Sequence, residues 1–240
     1  MNGAAGDRRQ TRPGLNMVFA RLPPAAPGQR IGLYGGSFNP AHRGHRHVSL
    51  AALRRLALDK VWWLVTPGNP LKDRGALAPL DERAGRAEAV ADHPRIAVTT
   101  FEAGLQVRYT RETLRYLTAR RPDLRFVWIM GADSLATFHL WRGFREIAAL
   151  MPIAVIDRPG FTLRAPNAPG AHAMAGTRIQ ESDSAALADM RPPAWVFLHG
   201  PRSPLSSTAL RRGSPSLHPG DAGMSGTEIL KMGVEQSTLC

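Results

Sequence analysis

Residues 30–45 read RIGLYGGSFNPAHRGH, and this stretch decides the fold. A short apolar run is followed by two adjacent glycines, a proline and two histidines, and then by a segment with helical spacing. A strand-to-helix turn is where an α/β protein binds a phosphate, because unpaired N–H groups point outward from the helix N-terminus. The stretch therefore predicts a nucleotide site at the end of the first β-strand.

The unusual residues of this turn suit phosphate chemistry. Gly35 and Gly36 permit a tight or left-handed exit from the strand, and Gly44 leaves space for a phosphate against the first helical turn. His42 and His45, at positions i and i+3, lie on one side of that turn. Two imidazoles there can hydrogen-bond phosphate oxygens as charge builds in a transition state. The alternative is an ordinary Gly-Pro turn with two surface histidines.

Strand-like apolar runs alternate with helical segments along the rest of the chain. The runs are residues 30–34, 60–66, 95–101, 124–130, 152–157 and 194–199, and the helical segments are residues 44–58, 80–92, 110–120 and 144–150. This alternation predicts an α/β fold, a doubly wound and mostly parallel Rossmann-like sheet with helices on both faces. Ligands bind such sheets beyond the carboxyl ends of the strands. Residues 158–193 are expected to form a long connection with one short helix around residues 182–190.

The two ends of the chain differ in composition from the middle. Residues 1–29 are rich in Gly, Pro, Ala and Arg without periodicity, and we expect them to form a mobile leader. Residues 213–240 are rich in turn-forming residues, and we expect a disordered C-terminal extension. The remaining length is sufficient for one α/β domain with its own core.

Composition narrows the class of protein. The net charge is +12, but only three of the 31 basic residues are lysines and the arginines are scattered. This pattern favours attraction of phosphate ligands over a nucleic-acid groove, with a basic nucleic-acid-binding module as the alternative. The single cysteine, Cys240, excludes an internal disulfide, and neither a signal sequence nor a long apolar run is present. We therefore expect a cytoplasmic protein with neither membrane nor nucleic acid as partner.

Six segments resemble known motifs. GGSFNPAHRGH (residues 35–45) resembles the G-x-F-x-P-x-H-x-G-H signature of the nucleotidyltransferase superfamily. Five further segments resemble motifs of one family within it, the bacterial nicotinate-nucleotide adenylyltransferases: TPGNPLKD (66–73), YTRETL (109–114), FVWIMGADSLATFHLW (126–141), DRPG (157–160) and LSSTALR (205–211). Their order and spacing agree over residues 30–212, which we therefore expect to form a nucleotidyltransferase domain.

The resemblance implies transfer of the adenylyl group of ATP to nicotinate mononucleotide, which gives nicotinate adenine dinucleotide and pyrophosphate in NAD biosynthesis. ATP and nicotinate mononucleotide are then the partners, and Mg²⁺ accompanies ATP with no protein ligand of its own. A substrate phosphate is already anionic at pH 7, so the reaction needs no general base. The alternative within the superfamily is transfer to nicotinamide mononucleotide or phosphopantetheine. A nicotinamide-dependent oxidoreductase is excluded because G-x-G-x-x-G is missing after the first strand.

The candidate site residues follow from these motifs. The expected catalytic residues are His42 and His45. The residues expected to bind ATP are Gly35, Gly36, Ser37, Phe38, His42, Gly44, His45, Gly131, Asp133, Ser206, Ser207, Thr208 and Arg211. Those expected to bind the second substrate are Lys72, Tyr109, Thr110, Trp141 and Arg158.

Several of these residues also have ordinary structural explanations. Residues 206–208 carry hydroxyls at a predicted helix start, and an arginine follows one turn later. These hydroxyls would bind a triphosphate or simply cap the helix. Asp133 would bond a ribose hydroxyl or cap the next helix. Trp141 would stack on the pyridine ring or be a half-buried core residue. Lys72 would reach the phosphates as a flexible charge or lie at the surface.

Overall fold

The computed structural model of the chain describes residues 21–68, 77–105, 107 and 109–200. Its strands and α-helices are, in chain order, β1 (Arg30–Gly36), α1 (Arg43–Arg55), β2 (Lys60–Val65), α2 (Leu80–Ala91), β3 (Ile96–Thr99), α3 (Phe101–Leu105), α4 (Thr110–Arg120), β4 (Arg125–Gly131), α5 (Ala132–Ala136), α6 (Phe144–Leu150), β5 (Ile153–Ile156), α7 (Pro169–Ala173) and β6 (Trp195–Leu198). Short 3₁₀ helices cover Phe138–Leu140, Ala175–Thr177 and Glu181–Asp189. No helix within these ranges has the length and apolar character needed to cross a membrane.

The strands of the described residues form one sheet in the order β3-β2-β1-β4-β5-β6, and every neighbouring pair is parallel. The predicted doubly wound α/β fold is therefore confirmed. The chain starts at the centre of the sheet with β1, builds outward to β3, and then returns to the other side of β1 with β4. The carboxyl ends of β1 and β4 lie side by side at this reversal of strand order, which is where such folds bind ligands.

The core lies on both faces of the sheet. Successive residues of a strand point to opposite faces, so neighbouring side chains of β2 divide between two hydrophobic clusters. Trp62 packs in one cluster with residues of α4 and α6, and Trp63 packs in the other with residues of α1 and α2. Four consecutive residues of β5 are buried. This two-sided burial explains why the strands are continuous apolar runs rather than alternating patterns.

The helical segments predicted at residues 110–120 and 144–150 match α4 and α6. The run at residues 95–101 is shorter than predicted, because β3 ends at Thr99 and α3 begins at Phe101. The Thr99 hydroxyl accepts a hydrogen bond from the Phe101 amide (3.2 Å), which turns the chain out of the sheet. The helix predicted around residues 182–190 is the 3₁₀ helix Glu181–Asp189, and the same long connection also contains α7.

Residues 21–29, which we assigned to the mobile leader, contact the domain. The Gly28 amide donates to the Asp123 carbonyl (2.7 Å), and Lys60 Nζ donates to the Pro24 carbonyl (2.6 Å). Leu22 and Ala25 pack against the core. The described residues of this segment are therefore packed on the domain by backbone hydrogen bonds and two apolar side chains, although the sequence has no apolar periodicity there. Residues 1–20 and 213–240 lie outside the described residues.

Candidate active site

The exit of β1 is shaped by packing rather than by a left-handed glycine. A Cβ atom on Gly35 would lie 2.5 Å from the Trp128 ring, so the strand approaches that ring too closely for any side chain. Neither Gly35 nor Gly36 has a positive φ; instead Phe38 does, at 45°. The Phe38 ring is buried and stacks on Trp63 with the centroids 4.9 Å apart. The left-handed residue of this turn is therefore an aromatic one, held by the core.

His42 and His45 cap helix α1 together. The Gly44 amide donates to Nδ1 of His42 (3.1 Å), and the His42 amide donates to Nδ1 of His45 (3.2 Å). This is the reciprocal arrangement of a capping box, with imidazoles in place of the usual hydroxyl and carboxylate. The spacing of three residues is what such a cap requires, because it joins the N-cap to the third residue of the helix.

This cap also sets the tautomer of both rings. A nitrogen that accepts from an amide carries no proton, so the proton of each neutral imidazole is on Nε2. Both side chains are buried, and their ring centroids are 3.9 Å apart. Among the described residues, His42 Nε2 is buried and has no hydrogen-bond partner. The helix start therefore holds two imidazole N–H donors side by side, and a buried donor without a partner is an expected feature of a binding site.

Burial keeps His42 neutral. The pKa of His42 is lowered to about 4, first because burial penalises the charged ring and second because the Arg158 guanidinium repels a further positive charge. At neutral pH the His42 ring is therefore an uncharged hydrogen-bond donor. A cation nearby and an unpartnered donor together favour an anionic ligand.

Three residues form a polar and charged group beside this turn: Tyr34 of β1, Asp133 after β4 and Arg158 after β5. Arg158 Nη2 donates to the Tyr34 hydroxyl (3.1 Å), and Arg158 Nε lies 3.4 Å from Asp133 Oδ1. A Cβ atom on Gly131 would lie 2.3 Å from Asp133 Oδ1 and 2.7 Å from Arg158 Nε. Gly131 is therefore the residue that lets this ion pair form across the end of β4.

A cavity of about 210 Å³ opens beside the β1 exit. Six predicted site residues line it: Gly35, Gly36, Ser37, Tyr109, Thr110 and Trp141. The other predicted residues within the described part are not among its lining residues: Phe38, His42, Gly44, His45, Gly131, Asp133 and Arg158. The structure thus divides the candidates into two groups. One group lines the cavity, and the other lies at the start of α1 and the end of β4. Gly35–Ser37, at the β1 exit, connect the two groups.

Aromatic side chains form the walls of this cavity. The rings of Trp128 and Trp141 both line it and meet edge to face, with centroids 6.5 Å apart. Trp141 is half-buried, with its ring against the buried Phe138 (5.5 Å). The Arg142 guanidinium lies 4.8 Å from the centre of the Tyr109 ring. An apolar, aromatic cavity with a few polar groups suits a flat ring.

Glu102 is the buried carboxyl of the cavity wall. Its side chain is 7% exposed, and Oε1 accepts a hydrogen bond from the Thr113 hydroxyl (2.6 Å). Burial raises the pKa of Glu102 to about 7, and the Thr113 hydrogen bond opposes that shift. Our sequence reasoning missed Glu102, Thr113, Trp128 and Arg142, since a single residue of these types carries no local signal of a cavity.

Arg83, which sequence reasoning also missed, fixes the rim loops of the cavity. Its guanidinium is buried and donates to the carbonyls of Ala78 (2.9 Å), Ser37 (2.7 Å) and Thr66 (2.9 Å). Burial lowers its pKa from the ordinary value. Because Ser37 follows β1 and Thr66 follows β2, one side chain of α2 joins the two strand exits.

Some expected features of the site cannot be located among the described residues. Lys72, Ser206, Ser207, Thr208 and Arg211 lie outside the described part of the chain. Within the described part, no group of three or more His, Cys, Asp or Glu side chains is placed to hold a metal ion. Asp133, the carboxylate at the β4 exit, is already paired with Arg158. The described residues therefore do not form a protein cage for Mg²⁺, which commonly binds through one or two carboxylates and substrate phosphates.

Comparison with known proteins identifies the family. Residues 33–213 match the family model described as cytidylyltransferase-like. The "Probable nicotinate-nucleotide adenylyltransferase" of Methylorubrum extorquens (strain PA1) is 70% identical over 182 residues, which are 76% of this chain and 98% of the relative. The protein of the same name from Rhizobium meliloti (strain 1021) is 58% identical over 181 residues, 75% of this chain and 96% of the relative.

Solved structures show the same fold. The Plasmodium falciparum nicotinic acid mononucleotide adenylyltransferase complexed with NaAD matches with a TM-score of 0.58 at 17% identity, over 77% of this chain and 83% of that chain. The same protein complexed with APC matches with a TM-score of 0.56 at 16% identity, over the same shares of the two chains. The family and fold expected from the motifs are confirmed. The chain belongs to the cytidylyltransferase-like family, and within it to the nicotinate-nucleotide adenylyltransferases.

Proposed function

We propose that this enzyme transfers the adenylyl group of ATP to nicotinate mononucleotide and releases pyrophosphate. Family membership supports the reaction class, and the names of the close relatives support the acceptor. The observation in the structure that carries the proposal is the position of the paired imidazole N–H donors. They lie at the N-terminus of α1, and the β1 exit that leads to them lines an aromatic cavity. A nucleotide phosphate and a flat acceptor ring are the two groups that such a site suits.

The proposed reaction is a direct displacement at phosphorus. An oxygen of the mononucleotide phosphate attacks the α-phosphorus of ATP, and the bond from that phosphorus to the bridging oxygen of the β-phosphate breaks. The electron pair leaves with pyrophosphate. No proton has to be removed from the nucleophile, which agrees with a neutral His42 that donates rather than accepts. His42 and His45 would stabilise the oxygens of the α-phosphate as negative charge increases there.

The remaining candidates divide between the two substrates. We propose that Trp141, Tyr109 and Thr110 bind the pyridine ring, because these residues line the aromatic cavity. Asp133 and Arg158, beside Gly131 at the sheet reversal, would bind a ribose hydroxyl and a phosphate. Gly35, Gly36, Ser37 and Gly44 would let the backbone approach the nucleotide. The assignments of Lys72, Ser206, Ser207, Thr208 and Arg211 to the phosphates rest on the motifs alone.

Phe38 has a different place in the proposal. Its ring is buried against Trp63, so we assign it the support of the turn rather than a contact with ATP. We treat Mg²⁺ as part of the nucleotide substrate, where it neutralises charge on the phosphates. No residue of this chain is assigned to it. ATP and a pyridine mononucleotide as substrates also support a cytoplasmic location.

One assay tests the proposal. Pyrophosphate release from ATP would be measured with nicotinate mononucleotide, nicotinamide mononucleotide or phosphopantetheine as acceptor. We expect the highest kcat/KM with nicotinate mononucleotide. A tenfold preference for another acceptor would overturn the choice of substrate. A gel shift with nucleic acid at about 150 mM salt, without pyrophosphate release from any acceptor, would instead favour the nucleic-acid-binding alternative.

A further inference from the structure

Glu102 occupies an unusual position for an acidic residue. It follows β3, two strands away from β1, and it lines the same cavity as Gly35–Ser37 at the β1 exit. The phosphate of an acceptor mononucleotide must lie near the α1 histidines in order to react with ATP. Its pyridine ring must then extend away from β1, past Trp128 and Trp141. A pyridine ring in this cavity would share it with Glu102, which is one of the lining residues.

Within the described part of the chain, Glu102 accepts a hydrogen bond at Oε1, which leaves Oε2 for a ligand. Thr113 donates to Oε1, so a proton on the carboxyl group belongs on Oε2. The Glu102 residue is buried, and the apolar residues Ile147, Trp128 and Val107 line the same cavity. In such surroundings an uncompensated carboxylate is costly, whereas a neutral carboxylic acid is both a donor and an acceptor.

The charged groups nearby do not neutralise Glu102. Arg142 lines the cavity with its guanidinium on the Tyr109 ring, and the phenol of Tyr109 also faces the cavity. Arg111 Nη1 is paired with Glu146 Oε2 (3.3 Å). The Glu112 carboxylate accepts from the Tyr109 amide (3.4 Å). Among the described residues, burial and the Thr113 hydrogen bond are the influences on the pKa of Glu102, and both belong to the cavity wall.

We propose that Glu102 is a specificity-determining residue that distinguishes acid from amide acceptors by its protonation state. As a carboxylic acid it donates from Oε2 to the carboxylate on a nicotinate ring. As a carboxylate it repels that group and accepts from the N–H of a nicotinamide ring instead. This inference rests on the proposed function, since it requires a pyridine ring in the cavity.

The test is the pH dependence of a ratio. The kcat/KM for nicotinate mononucleotide is divided by that for nicotinamide mononucleotide at intervals from pH 6 to pH 8. Both acceptors carry the same phosphate, so its titration and that of the shared catalytic groups cancel. With a Glu102 pKa of about 7, the protonated fraction falls about tenfold over this range and the ionised fraction rises about tenfold. We therefore expect the ratio to fall by at least about tenfold, and by about 100-fold if nicotinamide is bound by the carboxylate form alone.

Two variants and a control complete the experiment. Glu102→Gln cannot ionise, so its ratio should be constant with pH. Thr113→Val removes the hydrogen bond that favours the carboxylate, so the midpoint of the fall should move to higher pH, which a merely structural role would not produce. Glu88→Gln is the matched control: burial also raises the pKa of Glu88, but α2 places it outside the cavity lining, and its profile should equal that of the wild type.

The outcomes separate the inference from the proposed function. A ratio that stays constant with pH in an active wild-type enzyme overturns the inference alone, as does an unchanged fall in Glu102→Gln. If Glu102→Gln does not fold, an unmoved midpoint in Thr113→Val has the same consequence. An enzyme that uses neither mononucleotide overturns the proposed function, and the inference with it.

Discussion

The backbone amide of His42 donates to the imidazole of His45, while the His42 imidazole accepts from the amide of Gly44. The two rings thereby share one cap and one tautomer. The same hydrogen bonds that begin helix α1 also direct both protons to the Nε2 atoms that the proposed chemistry uses. Stability and catalysis at this turn are therefore linked but separable by mutation.

His45→Ala should lower kcat by about 10²- to 10³-fold, because it removes one donor to the charge that develops at phosphorus. The KM for ATP should change little, since that interaction is strongest in the transition state. His47→Ala, an exposed histidine of the same helix, is the matched control. Steady-state kinetics of both variants make the comparison. Near-normal turnover in His45→Ala would contradict the assigned role.

His42→Ser and His42→Ala should separate the cap from the chemistry. A serine hydroxyl at the N-cap accepts from the helix amides and alanine does not, so the serine variant should be more stable to unfolding by about 1 kcal/mol. Both variants lack the Nε2 donor and should lose kcat to the same extent. Denaturant unfolding and kinetics on the same samples decide this. Recovery of turnover in the serine variant would show that His42 acts only as a cap.

The low pKa of His42 predicts a pH dependence of stability. Its pKa is about 4 in the folded chain and near 6.5 in the unfolded chain. The unfolded state therefore binds the extra proton first, and the contribution of His42 to the free energy of unfolding, complete above pH 6.5, declines as the pH falls toward 4. Unfolding at pH 7.5 and pH 5 should show a larger loss in the wild type than in His42→Ser. An NMR titration of His42 with a midpoint near 6.5 would refute this account.

Gly131→Ala should destabilise the chain by about 1–3 kcal/mol, because the new methyl group displaces the Asp133–Arg158 pair. We also expect a raised KM for at least one substrate. Gly85→Ala in α2 is the control: no atom lies within 4 Å of its added Cβ, so helix propensity should make that variant slightly more stable. Thermal unfolding of both variants tests the contrast. Equal midpoints would mean that the β4 exit has room for a side chain.

Arg83→Met should lower the free energy of unfolding by about 2–3 kcal/mol, since several carbonyls lose a charged donor. The KM for both substrates should rise as the two rim loops separate. Arg86→Met is the control on the same helix. Arg86 is exposed, and its ion-pair partner among the described residues is Glu82 in the preceding turn, so its loss should cost no more than about 0.5 kcal/mol. Similar losses in the two variants would contradict a joining role for Arg83.

The parts of the site that sequence reasoning located are local in sequence. The capping spacing of His42 and His45, and the glycines before them, are all contained in one turn. Glu102 was missed because its burial and its cavity depend on residues of α4, α6 and β4, which periodicity does not connect to it. Arg83 was missed because an arginine in an amphipathic helix usually faces solvent, whereas here the carbonyls of two strand exits surround it.

The conformation of Phe38 was also beyond the sequence. A left-handed conformation is expected at glycine, and Gly35 and Gly36 precede Phe38, but neither glycine has a positive φ. Gly35 is small because the Trp128 ring lies against it, and an added Cβ on Gly36 would meet the Phe38 ring. Phe38 has the positive φ instead, because stacking of its ring on Trp63 compensates the backbone strain.

That strained aromatic has a consequence for inactivation by heat. The stacking of Phe38 on Trp63 helps to hold the backbone beside the histidines, so we expect loosening of this packing on heating to disturb the histidine donors. Activity should thus disappear at a lower temperature than secondary structure. The contact expected to fail first on heating therefore lies in the hydrophobic interior of the enzyme rather than at its surface.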